Sequence, residues 1–191
     1  MTGMNTIPDF NIISAGPVST VFREHGMNTF TEACNYIKRL PYGRNADKTR
    51  PLTVFSDGCG TCGTKHAVLK LLADENGHGK FTLIIAICRM TPENTPLVSR
   101  VLRRHGLAYM PEAHNYLKYE GQVVDMTAEE PLAISKEMME EVEIEPHQIA
   151  DHKVTLHKEY IDKWRLDNDI PYSLDKLWEI REACIAALSG L

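Results

Sequence analysis

Cys62 lies in a glycine- and threonine-rich turn, Gly58-Cys59-Gly60-Thr61-Cys62-Gly63-Thr64, just before an apolar-periodic stretch containing Ala67, Val68, Leu71 and Leu72. A thiolate, not a thiol, attacks a carbonyl carbon, so a nucleophilic cysteine needs help in losing its proton. The start of a helix supplies part of that help through its unpaired N–H groups and the positive end of its dipole. The same N–H groups, that of Cys62 included, suit an oxyanion developing on a bound carbonyl. Gly60 and Gly63 flank the cysteine and let a substrate approach the backbone closely.

A base for this thiol comes from a predicted hairpin. Residues 113–119 and 122–126 read as two strands around Glu120-Gly121. If those two residues are the loop, Tyr119 pairs with Gln122, and counting outward sets Tyr116 opposite Asp125 and His114 opposite Thr127. Opposed residues share a face, so His114 and Asp125 become diagonal neighbours roughly 7–8 Å apart by Cα. One more loop residue would put them on opposite faces. In such a triad His114 takes the Cys62 proton and returns it to the leaving amine. Asp125 accepts from the other ring nitrogen, fixing the tautomer and stabilising the imidazolium. Taken singly, His114 also reads as a buried strand histidine and Asp125 as a turn cap.

The elements that must hold these residues follow from periodicity. Thr29 and Glu32 have capping-box spacing ahead of Phe30, Ala33, Cys34, Ile37 and Leu40, a helix ending at Pro41. A short apolar run, 52–55, precedes the cysteine turn, and the helix after it stops near Asn76-Gly77. Residues 81–88 form a continuous apolar run, expected as a buried strand. Thr95-Pro96 opens a short helix that carries Val98, Val101 and Leu102 and ends at Gly106. From residue 131 onward everything reads as helical, with 137–145 as a solvated, Glu-rich face. One helix over 146–167 is marked by Ile149, Leu156, Tyr160 and Trp164. Another, from an N-cap at Ser173 to just before Gly190, buries Leu177, Ile180, Cys184 and Leu188. His147, His152 and His157 recur every five residues, which rotates them around a helix and suggests surface positions.

The expected architecture is α+β, with helices flanking a small, partly antiparallel sheet. The expectation is one domain over 1–191, with a catalytic core at about 50–130 and a helical part at about 131–191. Composition agrees with a globular chain: 191 residues, 43% hydrophobic, 25% charged, net charge -5 with the two signs mixed. That charge balance gives no basic face for nucleic acid, and no apolar run is long enough for a bilayer. Without a basic and then apolar N-terminal leader, a cytoplasmic location is expected. Five cysteines, an odd number, do not form a disulfide framework; Cys34, Cys88 and Cys184 read as buried small hydrophobes.

The segment Gly60-Thr61-Cys62-Gly63-Thr64-Lys65-His66-Ala67-Val68-Leu69-Lys70 resembles the nucleophile-helix motif of the transglutaminase-like superfamily. Pro111-Glu112-Ala113-His114-Asn115-Tyr116-Leu117 resembles its histidine strand, and Val123-Val124-Asp125-Met126-Thr127 its aspartate strand. The resemblance spans roughly 56–127, with the order Cys, His, Asp preserved. It implies a papain-like core with the nucleophile helix packed on a small antiparallel sheet. It also implies a cysteine protease or acyltransferase acting on peptide or protein amides through a thioester, with no metal or organic cofactor. Cys59 is additional to the family pattern, and Ser56, Asp57, Gly60 and Tyr109 are candidates to line the oxyanion hole or substrate site.

The rival reading is a thioredoxin-like thiol–disulfide oxidoreductase using Cys59-x-x-Cys62, preceded by 52–55 as a strand and followed by Met110-Pro111 as its proline site. Against it, Ser56-Asp57-Gly58 stands where an aromatic is expected before the first cysteine, and His114 interrupts an otherwise apolar strand. A zinc site lacks a second Cys-x-x-Cys or His-x-x-x-His pair, and no phosphate-binding glycine motif is present.

Overall fold

The computed structural model describes residues 7–129 and 137–188. In chain order the elements are α1 (Pro17–Glu24), α2 (Phe30–Arg39), α3 (Thr53–Asp57), α4 (Cys62–Glu75), β1 (Phe81–Met90), α5 (Ser99–Arg104), β2 (Met110–Tyr119), β3 (Gln122–Val124), β4 (Met138–Ile144), α6 (Asp151–Asp167) and α7 (Leu174–Leu188). The class is α+β, with the four strands in one sheet ordered β3-β2-β1-β4. Among the described residues no helix is long and apolar enough to cross a membrane. Two compact units divide the chain. The described residues of Met1–Ile84, Asn115–Pro131 and Glu143–Ile149 form one; those of Ile85–His114, Leu132–Val142 and Ala150–Leu191 form the other. Each is assembled from segments distant in sequence.

In the first unit α4 is the central element, packed by α1, α2 and α3. The α2 capping box is formed as the spacing predicts. Glu32 N donates to Thr29 Oγ1 at 3.3 Å and Thr29 N to Glu32 Oε2 at 3.1 Å, while Phe30, Ala33, Cys34 and Ile37 are buried. Helix α1 had no cap in its own sequence. Its N–H groups at Val18 and Ser19 donate to the Glu75 carboxylate at 3.0 and 2.7 Å, a cap brought in from the last turn of α4. Residues 52–55 do not form a strand. They fall in and just before α3, which Gly58 ends at φ 61°. The hairpin has the expected two-residue loop: Tyr119 pairs with Gln122, Lys118 with Val123 and Leu117 with Val124, antiparallel. Glu120 at φ 47° and Gly121 at φ 83° give it the doubly left-handed turn that suits strand twist.

In the second unit α7 packs on α6, α5 and the 3-10 turn Pro96–Val98. Residues 137–145, expected as a helical face, instead contain β4 at the sheet edge, where Arg89 N donates to Glu137 O at 3.0 Å. A row of glutamates on an edge strand keeps the edge solvated and discourages pairing with another chain. The part of the helical expectation covering 131–136 lies outside the described residues. The predicted 146–167 helix breaks into a 3-10 turn, Pro146–Gln148, and α6. The buried stripe of α6 is His157, Ile161 and Trp164, with Leu156 and Tyr160 only half-buried. His157 is therefore not a surface residue; its Nε2 donates to Pro111 O at 2.8 Å and its ring meets Trp178 edge-on. In α7, Leu177, Ile180 and Cys184 are buried as expected, and Ile185 takes the place of the exposed Leu188.

Candidate active site around Cys62

Cys62 is the first residue of α4, and the turn before it is held by a polar web. Thr61 N donates to Thr64 Oγ1 at 3.0 Å and Thr64 N donates to Thr61 Oγ1 at 3.4 Å, a reciprocal cap. Thr64 Oγ1 donates to Asn45 Oδ1 at 2.7 Å, and Asn45 Nδ2 donates to Cys59 O at 2.9 Å and Asp57 Oδ2 at 3.1 Å. The Gly60 N–H donates to Pro41 O at 3.1 Å, so it is committed to the 41–43 strip and not offered to an oxyanion. Gly60 is glycine for space: a Cβ there would meet Val54 and the Lys65 stem at 3.0 Å. Cys62 itself is only 5% exposed. Helix geometry leaves the N–H groups of this first turn, at Cys62 and Gly63, without intrahelical acceptors.

Two side chains of α4 that the sequence reading passed over lie beside the cysteine. His66 is fully buried, and Met126 N donates to its Nε2 at 2.7 Å. With Nε2 accepting, the ring proton sits on Nδ1 and is donated to Cys62 O at 2.8 Å. Asp125 Oδ1 lies 3.5 Å from Nε2, but the same geometry keeps His66 neutral, so the approach is not an ion pair. Both ring nitrogens of His66 serve the backbone, which removes it as a base for the thiol. Asp125 Oδ1 also accepts from Thr127 N at 2.9 Å, which bends the chain just past β3.

Lys65 is 0% exposed, and its Nζ donates to Leu40 O at 2.6 Å and Thr127 O at 2.7 Å. Burial pulls the ammonium down to about 8, against the opposing pull of Cys62, Asp125 and Cys59, which favour its charged form. Asn115 is likewise fully buried: its Nδ2 donates to Ile84 O at 2.9 Å. Its Oδ1 lies 3.4 Å from where a Gly63 Cβ would stand. An alanine at the second position of α4 would stand in ordinary van der Waals contact with this amide.

The structure therefore brings Cys62 and Asp125 into one unit, with His66 linked to both. His114 is buried on β2 and belongs to the other unit. The β2–β3 register agrees with the sequence count as far as Leu117 and Val124, where β3 ends, two residues short of the expected strand. Ser56 is exposed and bonded to Thr53 O and Asp57 Oδ1. Asp57 accepts from Ala46 N at 3.0 Å and from Asn45, which holds its carboxyl below the usual range. Asp57 thus pins the 44–47 loop, and Ser56 touches that loop only through Asp57. Tyr109 meets Trp164 in a tilted ring contact and lies beneath the Arg89 guanidinium in the second unit. Cys34, Cys88 and Cys184 are buried, and burial pushes the thiols of Cys34 and Cys184 up to about 12 and about 11. Cys59 is half-buried, its Sγ against Gly43 and the Arg44 carbonyl.

Thr64, Lys65 and His66 gave no periodic signal, because α4 is buried on every side from Cys62 to Leu69. A polar triplet directly ahead of an apolar helix stripe was the available clue. Comparison of the chain with models of known protein families, with curated proteins and with solved structures found no match.

Proposed function

We propose that this chain is a cysteine-nucleophile acyl-transfer enzyme with a papain-like, transglutaminase-like core, acting on peptide or protein amides. The observation that carries this reading is the position of Cys62, first residue of a buried helix whose N-terminal turn is locked by Thr61, Thr64 and Asn45. A locked helix start holds the sulfur at one place and aims the positive end of the dipole at it. His114 is the base by role, since His66 has both ring nitrogens committed. Asp125 orients His114 in this reading.

The Cys62 Sγ proton passes to His114, and the thiolate adds to the amide carbonyl. The carbonyl oxygen, now negative, is held by the N–H groups of the first turn of α4. Collapse breaks the C–N bond; the amine leaves with the proton from His114, and a thioester remains on Cys62. Water or a second amine, deprotonated by His114, then attacks the thioester and restores the thiol.

The test is the pH profile of Cys62 alkylation by iodoacetamide, read by peptide mass spectrometry, in the wild type and in His114→Ala. Rapid labelling well below the free-thiol value of roughly 8.5, lost in His114→Ala, is the expected result. Slow labelling of both proteins would make Cys62 structural. Fast labelling independent of His114, blocked by a reversible bond to Cys59, would assign thiol–disulfide exchange instead. A screen with peptide, simple amide and glutamine donors then separates hydrolysis from transfer.

A further inference from the structure

We propose that Lys65 is a positioning residue whose buried ammonium stabilises the Cys62 thiolate. The inference rests on the reading of Cys62 as a nucleophile and adds the group that sets its charge state. A fully buried ammonium is costly unless it is solvated or neutralised by the protein. The two acceptors that hold Nζ, Leu40 O and Thr127 O, are neutral carbonyls; they orient the cation without cancelling its charge. Residues 62 and 65 stand one helical turn apart, on neighbouring positions of one face, roughly 5–6 Å apart between Cβ atoms.

The titratable groups that act on Lys65 are Cys62 on its own helix, Cys59 in the preceding loop and Asp125 on the segment after β3. The end of α2 contributes the Leu40 carbonyl. His66, also buried on α4, stands 3.5 Å from Asp125 but is neutral, so it does not compete as a cation. Each anion raises the proton affinity of Lys65, and by linkage a protonated Lys65 lowers the proton affinity of each. The thiol proton leaves to His114 or to water; the ammonium keeps its own and serves as fixed charge. This differs from a helix dipole in being a whole charge, shielded from solvent and salt.

The variant is Lys65→Met, which keeps length and removes charge, with folding checked by near-UV circular dichroism. Its Cys62 alkylation profile is measured beside those of the wild type and His114→Ala. The expected result is a shift of the profile to higher pH by about one unit, a roughly tenfold slower reaction at pH 7 with the high-pH plateau unchanged. A folded Lys65→Met with an unmoved profile overturns the proposal. The arms separate it from the triad: a shift in Lys65→Met alone retains Lys65 and removes His114, and a shift in His114→Ala alone does the reverse. The reciprocal measurement needs no change at Lys65. The side-chain NMR titration of Lys65, followed in wild type and in Cys62→Ser, is expected to move down when the thiolate is removed. An unmoved titration there overturns the proposal even if Lys65→Met does not fold.

Discussion

Lys65 and His66 illustrate how a polar side chain behaves when its helix is buried on every side: Lys65 donates to the backbone of two other segments, while His66 accepts from Met126 N and donates to Cys62 O one turn back on its own helix. For Lys65 this has a consequence for stability. Its ordinary value is 10.5 and burial brings it to about 8 in the folded protein. The unfolded chain therefore binds the extra proton between those values, and stability rises with pH across that interval. Cys34 and Cys184 act in the opposite sense above pH 9, their ordinary value, because the fold holds them protonated to about 12 and about 11. The two effects separate by difference. Urea unfolding at pH 7.5 and pH 10 is expected to show the wild type gaining stability relative to Lys65→Met as pH rises. A constant difference would mean that Lys65 is not a buried cation.

At the scale of elements, the hairpin turn and the helix caps show which contacts are local in sequence. The turn uses two left-handed residues, and Glu120 is the poorer fit because its Cβ opposes φ 47°. Asparagine tolerates that conformation and is common at this position of a two-residue turn. Glu120→Asn is expected to stabilise the protein by ~0.5 kcal/mol, read as a higher urea midpoint with an unchanged slope. The variant also loses the Lys80–Glu120 pair, which is solvent-exposed and contributes little. A lower midpoint would show that this pair, not the turn, holds the hairpin. The cap of α2 was legible because its two partners are three residues apart. The cap of α1 was not, because Glu75 lies 57 residues from Val18 and only folding makes them neighbours.

At the scale of the whole molecule, acid stability is expected to turn on the second unit. Glu112 of β2 accepts from Arg181 Nε of α7 at 2.7 Å and from its Nη2, with both side chains nearly buried. Burial alone would raise the Glu112 carboxyl, but the Arg181 guanidinium outweighs it, with help from His157 and Lys153, and keeps it below the ordinary 4.5. Burial likewise holds His157 below its ordinary 6.5. Both groups resist protons that the unfolded chain accepts, so their contributions are complete above those ordinary values and are lost as pH falls below them through the lower folded-state values. Glu112→Gln is expected to cost ~3 kcal/mol at pH 7, since it leaves Arg181 without its paired carboxylate. The variant is also expected to flatten the loss of stability below pH 5 in urea titrations. A steep acid limb retained in the variant would place the sensitive carboxylate elsewhere.

Local chemistry was enough to establish the α2 cap, the start of α4 at Cys62, its Asn76-Gly77 end, the β1 run and the two-residue hairpin loop. Each depends on partners within a few residues, so the pattern is complete in the chain itself. Tertiary structure decided the rest. It made residues 137–145 an edge strand because β1 offered a neighbour, and it took His157 inside because Pro111 offered an acceptor. It surrounded α4 so fully that Lys65 and His66 became interior groups beside Cys62. Burial and long-range hydrogen bonds depend on what the rest of the chain brings near, and no local window of sequence contains that information.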